Sequence, residues 1–460
     1  MALKKTPVPK LHLAAFGITL ATVGTLAWAQ PSNTPSQSEI DQVFRSVLDN
    51  PTSIDVRTKY ATLLVQSGNY EGGIAALESL LLLPDAPANI RLELAVLYYR
   101  LGSYAIAQAY LQEALADSRL DAKQKDEAQT LLKDAVSRNK KSRFSGMVML
   151  GVRTQTNPTG ATDSSSVFSL GKIVPSSPDY APKSDTDLHA WALLDHVLDL
   201  DAQNEAALTT TVMGYMNHYS SVTSYTNSVG YNKPFDLAIV AGNTGLRFKP
   251  SPTDHQGWTL RPHLLFGGAT ANGKSYFSSG GWGISTDYLL SERLTIGGGY
   301  KNSREVYSER EDIANAGLMG GHRQTLHVNT TMELRATRFV MAELGYVDFD
   351  GNAPFTGYLG PEARFSYVLG YSSPFGKSAL PWAITLNLHG ARRSYRAPDP
   401  QVDALVSRQD TEWRIGVINV APVTRDMAVQ LQLEYVNVQS NISNYSNSNR
   451  SGTLGVIWKY

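Results

Sequence analysis

The feature that most constrains this chain is an alternation of apolar and polar residues that runs from about residue 143 to the C-terminus. It is clearest at 427–435, where apolar residues at the odd positions alternate with Gln430, Gln432 and Glu434. A period of two residues is typical of a β-strand with one apolar and one polar face. Most of the chain is therefore expected to form β-sheet.

Repeated segments of this kind indicate a barrel. Short connections such as 291–292 alternate with long ones such as 155–185 and 305–321, which are rich in small and polar residues. An even number of strands joined in this way is typical of an outer-membrane barrel, with its turns in the periplasm and its loops outside. We therefore expect a transmembrane antiparallel β-barrel of about 14 strands over 139–460. The expected strands are 143–154, 186–200, 205–219, 235–249, 257–270, 276–290, 293–304, 322–336, 338–349, 359–373, 381–395, 408–421, 426–438 and 449–460.

A soluble β-sandwich would alternate in the same way, but three features oppose it. The β-run is longer than a usual sandwich, and the chain ends in a segment, 453–460, that resembles the outer-membrane β-signal in Gly455, Trp458 and Tyr460. That resemblance implies recognition by the barrel assembly machinery. In this strand Leu454, Val456, Trp458 and Tyr460 are expected to face lipid. Aromatic residues also cluster near the expected strand ends, at Tyr346, Tyr358, Tyr371, Tyr395, Trp413 and Tyr435.

The charged residues of the strands are expected to face the barrel interior, because Arg at the midplane of a lipid face costs about 2–4 kcal/mol. Two interpretations stay open: a salt-bridged network that stiffens the wall, or a polar conduit that contacts a translocating substrate weakly. Three Glu-x-Arg pairs lead this expected interior network, which comprises Glu333, Arg335, Glu343, Glu362, Arg364, Arg393, Glu412, Arg414, Gln430, Gln432 and Glu434.

Residues 37–138 have a helical period and an internal repeat. The pattern around Gly68-Asn-Tyr70 recurs 34 residues later around Gly102-Ser-Tyr104. The offset and the turn residues resemble the tetratricopeptide repeat, which stacks helix pairs into a solenoid with a concave groove. Tyr98 and Tyr99 are candidates for contacting a client peptide in that groove, and packing between repeats is an equally open role for both.

The N-terminus reads as a secretory signal peptide over 1–29, followed by a polar linker over 30–36. A basic segment with Lys4, Lys5 and Lys10 precedes an apolar stretch and an Ala27-Trp28-Ala29 cleavage site. An uncleaved membrane anchor is the alternative. With this signal, the repeat domain is expected in the periplasm and the barrel in the cell outer membrane, in contact with its lipids.

Composition and motifs exclude several function classes. The chain has no Cys, and its 41 basic and 41 acidic residues cancel, which argues against a nucleic-acid partner. We find no catalytic motif, no phosphate-binding loop and no metal-ligand spacing. The chain is therefore not expected to be an enzyme, and no cofactor or metal is expected.

A signal peptide, a short repeat domain and a barrel of about 14 strands together resemble the surface lipoprotein assembly modulator family, the outer-membrane component of type XI secretion. The resemblance covers Ser36 to Tyr460. It implies that the periplasmic domain captures a client, a secreted protein or a surface lipoprotein, and that the barrel assists its passage to the cell surface. An exopolysaccharide export channel, an outer-membrane porin with a periplasmic scaffold domain, and a purely structural scaffold that anchors a periplasmic partner are the alternatives.

Overall fold

The computed structural model describes residues 36–83, 86–178, 181–201, 206–221, 234–251, 254–255, 257–310, 315–335, 337–375 and 380–460. The expected signal peptide, and all of the linker except Ser36, lie outside the described residues. The chain divides between Arg143 and Phe144 into two compact units, a helical unit and a β-barrel. Each unit is described by itself.

The helical unit consists of six helices, and consecutive helices pack against each other. Ser36 caps the first helix by accepting the Glu39 N–H, and Asp121 and Gln124 form a capping box at the start of the last. No helix in the described part of the chain is long and apolar enough to cross a membrane. The helices are α1 (Gln37–Asp49), α2 (Ile54–Gln66), α3 (Tyr70–Leu81), α4 (Ile90–Arg100), α5 (Tyr104–Ala116) and α6 (Ala122–Arg138).

The turns that join α2 to α3 and α4 to α5 have the same geometry. Gly68 and Gly102 both adopt the left-handed conformation, with φ of 86° and 77°, which glycine tolerates best. In each turn the residue after the glycine donates its N–H to a carbonyl five residues earlier, at 2.9 Å. The two copies of the sequence repeat therefore form equivalent helix–turn–helix units. Their assignment as tetratricopeptide repeats stays a resemblance.

The barrel consists of fourteen antiparallel strands, closed by pairing of the first with the last. This confirms the expected strand number and closure. A separate hairpin, β2 (Ser166–Ser169) and β3 (Lys172–Pro175), lies in the first long loop and was not expected. The barrel strands are β1 (Ser142–Gln155), β4 (Asp185–Asp201), β5 (Ala206–Tyr219), β6 (Leu237–Arg247), β7 (Trp258–Ala271), β8 (Lys274–Ser291), β9 (Leu294–Tyr307), β10 (Gly321–Arg335), β11 (Arg338–Gly351), β12 (Tyr358–Tyr371), β13 (Trp382–Tyr395), β14 (Gln409–Pro422), β15 (Met427–Ser440) and β16 (Asn447–Lys459).

The two ends of the barrel differ in their connections. The turn end carries the connections at 292–293, 336–337 and 423–426, together with the start of β1 and the end of β16. The loop end carries the long loops, although the expected alternation of lengths is not strict. Only Asn272 and Gly273 separate β7 from β8 there, both with positive φ, as a tight hairpin turn requires.

The first long loop, 156–184, bonds to its neighbouring loops at the loop end. The Thr162 hydroxyl donates to the Ser443 carbonyl at 2.5 Å, and the Leu170 N–H donates to the Gln401 carbonyl at 3.0 Å. Asn157 secures the start of the loop, because its side chain bonds to the Ala161 backbone. The loop is therefore attached to the loops at 396–408 and 441–446.

Candidate functional site

The outer face of the barrel is apolar. Every second residue along each strand points outward, and in β10 the outward-facing Leu326 and Val328 are 60% and 56% exposed. A closed barrel that is apolar outside and polar inside is the architecture that crosses a membrane with strands. Other outward-facing residues of this kind are Leu150, Val152, Leu188, Met216, Val240, Leu264, Phe266, Trp282, Ile284, Leu344, Phe365, Leu388, Trp413, Ile415, Leu431, Leu433, Leu454 and Val456.

The aromatic residues near the strand ends divide between the two faces. Trp413 and Tyr435 contact each other edge to face on the outside, with ring centroids 5.0 Å apart. Tyr358 and Tyr395 are opposite each other across β12 and β13 and face the interior, where the Arg393 guanidinium lies 5.8 Å from the Tyr358 ring. Clustering near strand ends therefore does not by itself identify an outer aromatic girdle.

Glu412 is the centre of an ionic network inside the barrel. Its side chain is 3% exposed and accepts hydrogen bonds from Arg393 at 2.8 Å and Arg414 at 2.6 Å. His389 Nδ1 lies 4.0 Å from the same carboxylate. Strands β13 and β14 position these groups, because Arg393, His389, Glu412 and Arg414 all occupy the inward phase of the alternation. A carboxylate buried between two guanidinium groups holds this part of the wall together.

Arg364 forms the second centre of the network. It bonds to Glu343 on the neighbouring β11 and lies 3.3 Å from Glu362 on its own strand. The Glu-x-Arg spacing thus brings together Glu362 with Arg364 and Glu412 with Arg414, as the sequence pattern anticipated. We call the inner surface of β11–β14, with these two centres, the ion-paired wall.

The remaining residues of the expected network are placed differently. Glu333 and Arg335 form no ion pair with each other, because a β-bulge between them shifts the register and sets Arg335 opposite Arg338 at the turn end. The third Glu-x-Arg spacing therefore forms no ion pair of its own. Gln430 and Gln432 bond to each other at 3.3 Å on β15. Glu434 faces inward beside them and has no hydrogen bond or ion pair with any described residue.

A buried cluster on β1, β4 and β5 was missed from the sequence. Arg153 binds Asp187 through two hydrogen bonds, of 3.0 and 2.9 Å, and donates to the Tyr215 hydroxyl at 2.8 Å. Gln155 donates to Asp187 at 3.2 Å and to the Tyr219 hydroxyl at 3.0 Å. The partners are more than thirty residues apart in sequence. The only signal for them was that Arg153 and Asp187 occupy inward-facing positions in the alternation of their strands.

Further ion pairs were missed, and two of them contact aromatic rings. Arg323 on β10 bonds to Glu305 on β9 at 2.5 Å and donates to the Tyr358 hydroxyl at 3.0 Å. Near the loop end, Arg408 pairs with Asp410 at 2.5 Å, and its guanidinium lies 3.6 Å from the centre of the Tyr445 ring. Cross-strand register creates the Arg323 contacts. Arg408 and Asp410 are two residues apart, so their spacing is a local signal that the sequence analysis did not use.

The C-terminal residues that resemble the β-signal take part in barrel closure. The two strands that close the barrel, β1 and β16, pair from Met147 to Gln155. This pairing is as long as that between β6 and β7. Met149 is 1% exposed inside the barrel, and its Cε would lie 2.7 Å from a Cβ at Gly455, so the glycine leaves room for this side chain. Trp458 and Tyr460 are exposed on the outside.

Tyr98 is held within the helical unit. Its hydroxyl donates to Glu78 at 2.8 Å, and its ring stacks on Tyr110, whose hydroxyl donates to the same carboxylate oxygen at 3.1 Å. The hydrogen bond to Glu78, followed by partial burial, raises the pKa of Tyr98 to about 12. The side chain joins α3, α4 and α5.

Tyr99 is held in the same way on the neighbouring helices. Its hydroxyl bonds to Asp134 of α6, and the Arg138 guanidinium lies 5.5 Å from the centre of its ring while bonding to Asp134 at 2.9 Å. Burial and the hydrogen bond to Asp134 raise the pKa of Tyr99. Both candidate client-binding tyrosines therefore have packing roles inside the unit.

The chemistry available in the barrel is that of charged and hydrogen-bonding side chains around an enclosed interior. Within the described ranges, no group of three or more His, Asp or Glu is placed to hold a metal ion. The fold and interior define the class: a closed 14-stranded antiparallel β-barrel with an apolar outside and an ionised polar inside, joined to six N-terminal helices.

No protein-family model matches the chain, and no curated protein matches it. Solved structures are similar to its barrel. A FadL homologue from Pseudomonas aeruginosa shares 9% identity over 71% of this chain and 91% of its own, with a TM-score of 0.38. An outer membrane channel from Pseudomonas putida F1 shares 13% identity over 69% and 95%, with a TM-score of 0.35. The outer membrane channel DcaP of Acinetobacter baumannii shares 11% over 69% and 97%, with a TM-score of 0.35. At these TM-scores the likeness does not bear on function.

Proposed function

We propose that this chain is an outer-membrane channel with its helical unit in the periplasm. The observation that carries the proposal is the opposite chemistry of the two faces of each strand. In β10, Leu326 and Val328 point outward while Arg323 and His327 point inward. Lipid outside and water inside are the surroundings in which such a strand has the lowest free energy.

The connectivity supports the proposed orientation. The barrel begins at Ser142 and ends at Lys459 at the turn end, where Met147 pairs with Lys459. In outer-membrane barrels the short turns face the periplasm. The chain would then enter the barrel wall at β1 from the periplasmic side, and the helical unit that precedes β1 in sequence would be periplasmic. The exposed Lys140 and Lys141 at the junction would lie at that membrane surface, near anionic headgroups.

Recording from planar lipid bilayers tests the proposal. The full chain is refolded in detergent, and its folding is checked by the shift in electrophoretic mobility on boiling. Discrete conductance steps in KCl are expected from the folded fraction, whereas a boiled sample of the same preparation gives none. Folded protein that inserts into vesicles and carries no current would overturn the channel assignment.

A second candidate function is assembly of a client at the cell surface, as the resemblance to the surface lipoprotein assembly modulators implies. The equivalent turns at Gly68 and Gly102 favour it, because stacked helix pairs offer a groove for a peptide segment. The client would be a secreted protein or a surface lipoprotein. Biogenesis of this barrel itself would use the barrel assembly machinery, which would recognise the segment ending in Tyr460.

Surface proteomics separates the second candidate from the first. Intact cells that lack the gene are complemented with the full chain or with a chain lacking 37–138, and their surfaces are shaved with protease. Loss of one or a few surface proteins that accumulate in the periplasm, restored only by the full chain, supports client assembly. An unchanged surface proteome contradicts it, and altered matrix sugar would point to polysaccharide export instead.

A further inference from the structure

Three cationic residues and one histidine lie together on the inner surface of β6, β7 and β9. His263 and Lys301 lie in one cross-strand row, on either side of Gly283. Arg261 lies in the next row, and Arg247 is opposite it, since Gly245 pairs with His263 and Phe248 with Leu260. We call Arg247, Arg261, His263 and Lys301 the cationic belt.

The belt has no carboxylate partner among the residues that the structure describes. Lys301 is exposed in the barrel interior and forms neither a hydrogen bond nor an ion pair there. Arg261 is bonded only to neutral oxygens, those of the Thr209 side chain at 2.6 Å, the Thr209 carbonyl at 3.2 Å, and Asn243. Like charges opposite each other destabilise a sheet, so the pairing of Arg247 with Arg261 costs stability. A functional role for the two cations would account for that cost.

Glycines clear the wall around these cations. Gly245, Gly283 and Gly299 occupy inward positions in the same two rows. A Cβ at Gly283 would lie 2.6 Å from Nε2 of His263, and a Cβ at Gly299 would lie 3.0 Å from Cε1 of His327. The imidazole rings therefore occupy the space that side chains at the neighbouring glycines would need.

The acidic groups near the belt do not neutralise it. Glu305 on β9 is paired with Arg323, and Asp195 on β4 accepts a hydrogen bond from Thr211. Asp287 lies one row further toward the turn end, beside Gly297. The two rows of the belt on β6–β10 contain cations, His327, hydroxyl residues and glycines. The nearest carboxylates in the Arg261 row are Asp199 on β4, two strands from Arg247, and Glu362 on β12, and Asp199 forms no ion pair with a described residue.

We propose that the cationic belt binds and passes anionic solutes that carry carboxylate or phosphate groups. This inference rests on the channel function proposed above and names its substrate class. Lys and Arg rings inside a barrel select anions, and weak contact at several sites allows a solute both to enter and to leave. Ser285 and Thr325 lie beside Arg261 and Lys301 and offer hydroxyl donors to the same oxygens.

The test is the reversal potential in a KCl gradient across a planar bilayer, with inorganic phosphate then added as a blocker. The wild-type chain is expected to pass Cl⁻ over K⁺ and to lose current when phosphate is added. Lys301→Gln and Arg261→Gln are each expected to lower the Cl⁻/K⁺ permeability ratio by about threefold or more and to weaken block by phosphate, because both effects depend on the interior potential. Lys172→Gln is the matched control, since it removes the same charge from the exposed hairpin outside the barrel wall.

The outcomes separate this inference from the channel function. Conductance without anion preference, or a preference that both Lys301→Gln and Arg261→Gln leave unchanged, would overturn anion binding by the cationic belt. The proposed channel function would stand. Absence of any conductance from folded protein would overturn both. Because Arg261 bonds to Thr209 and Asn243 and its replacement can disturb folding, Lys301→Gln, which breaks no bond to a described residue, decides the result if Arg261→Gln does not fold.

Discussion

Two regions of the barrel interior, the ion-paired wall and the cationic belt, use cationic residues in opposite ways. On the ion-paired wall, Arg364, Arg393 and Arg414 all contact glutamates. On the cationic belt, Arg261 and Lys301 contact no carboxylate of the described chain. In the ion-paired wall the cations are neutralised by glutamates of the same wall and stabilise it. In the cationic belt the charges stay available to a solute.

The difference teaches that a polar interior is not by itself a binding site. A charge that is already paired and buried contributes to the wall, because breaking the pair leaves an uncompensated charge. A charge that has no partner contributes little to stability and much to the electrostatic potential of the interior. The helical unit follows the first pattern, since Tyr98 and Tyr99 are bonded to Glu78 and Asp134.

The largest effect is expected from Glu412→Gln. The substitution removes the buried charge shared by Arg393 and Arg414, and about 3–5 kcal/mol of unfolding free energy is expected to be lost, because two half-buried cations are left without their carboxylate. Urea unfolding in lipid vesicles, followed by Trp fluorescence, measures the loss. Glu434→Gln is the matched control on the neighbouring β15. If Glu412→Gln and Glu434→Gln both change the unfolding free energy only slightly, paired and unpaired charges do not differ in their contribution to stability.

A smaller loss is expected from Gly283→Val on the opposite wall. The new side chain meets Nε2 of His263 at 2.6 Å and the Tyr300 carbonyl at 2.9 Å, and such overpacking costs about 1–3 kcal/mol. Gly280→Val is the control, because a Cβ at the outward-facing Gly280 has nothing within 4 Å. If both variants unfold at the same urea concentration as the wild type, Gly283 is not needed to make room for the His263 side chain.

Tyr98→Phe tests packing in the helical unit. Loss of the hydrogen bond to Glu78 is expected to cost about 0.5–1.5 kcal/mol at neutral pH. Because the folded pKa of Tyr98 is raised from 10.0 to about 12, this stabilisation is complete below pH 10.0 and disappears as the pH rises to about 12. Helical circular dichroism during urea titration follows it. Tyr70→Phe, which removes no side-chain bond to a described residue, is the control, and a difference independent of pH would contradict the assignment.

The smallest effect on stability is expected from Lys301→Gln. A side chain with no partner in the described chain should change the unfolding free energy by no more than about 0.5 kcal/mol, although ion selectivity changes strongly. The same urea titration measures the stability. A loss comparable to that of Glu412→Gln would mean that Lys301 is structural, and the contrast between the two walls would then fail.

The strands were predictable because the two faces of each strand differ in polarity. The alternation at 427–435 predicted the inward face of Gln430 and Gln432, and the short connections expected at 291–292 and 337 predicted that neighbouring strands are antiparallel. The same logic placed Leu454 outside and Thr453 inside on β16, as the structure has them. The 34-residue repeat likewise anticipated equivalent turns at Gly68 and Gly102.

Much of the interior was not predictable, because it depends on register between distant segments. Local spacing finds pairs within one strand, such as Glu412 with Arg414, but not Arg153 with Asp187. A bulge separates Glu333 from Arg335 without any local signal that reveals it. The belt requires the relative registers of β6, β7 and β9, and no single segment shows that Arg261 and Lys301 lie close together.

The most direct test of the central claim, that the barrel encloses a water-filled polar path through a membrane, uses the absence of Cys from the chain. Single variants Lys301→Cys and Leu326→Cys place a thiol on adjacent strands, one inward and one on the lipid face. In outer-membrane vesicles, a charged methanethiosulfonate reagent is expected to modify Lys301→Cys rapidly and Leu326→Cys hardly at all. Equal modification of both, or faster modification of Leu326→Cys, would contradict the account.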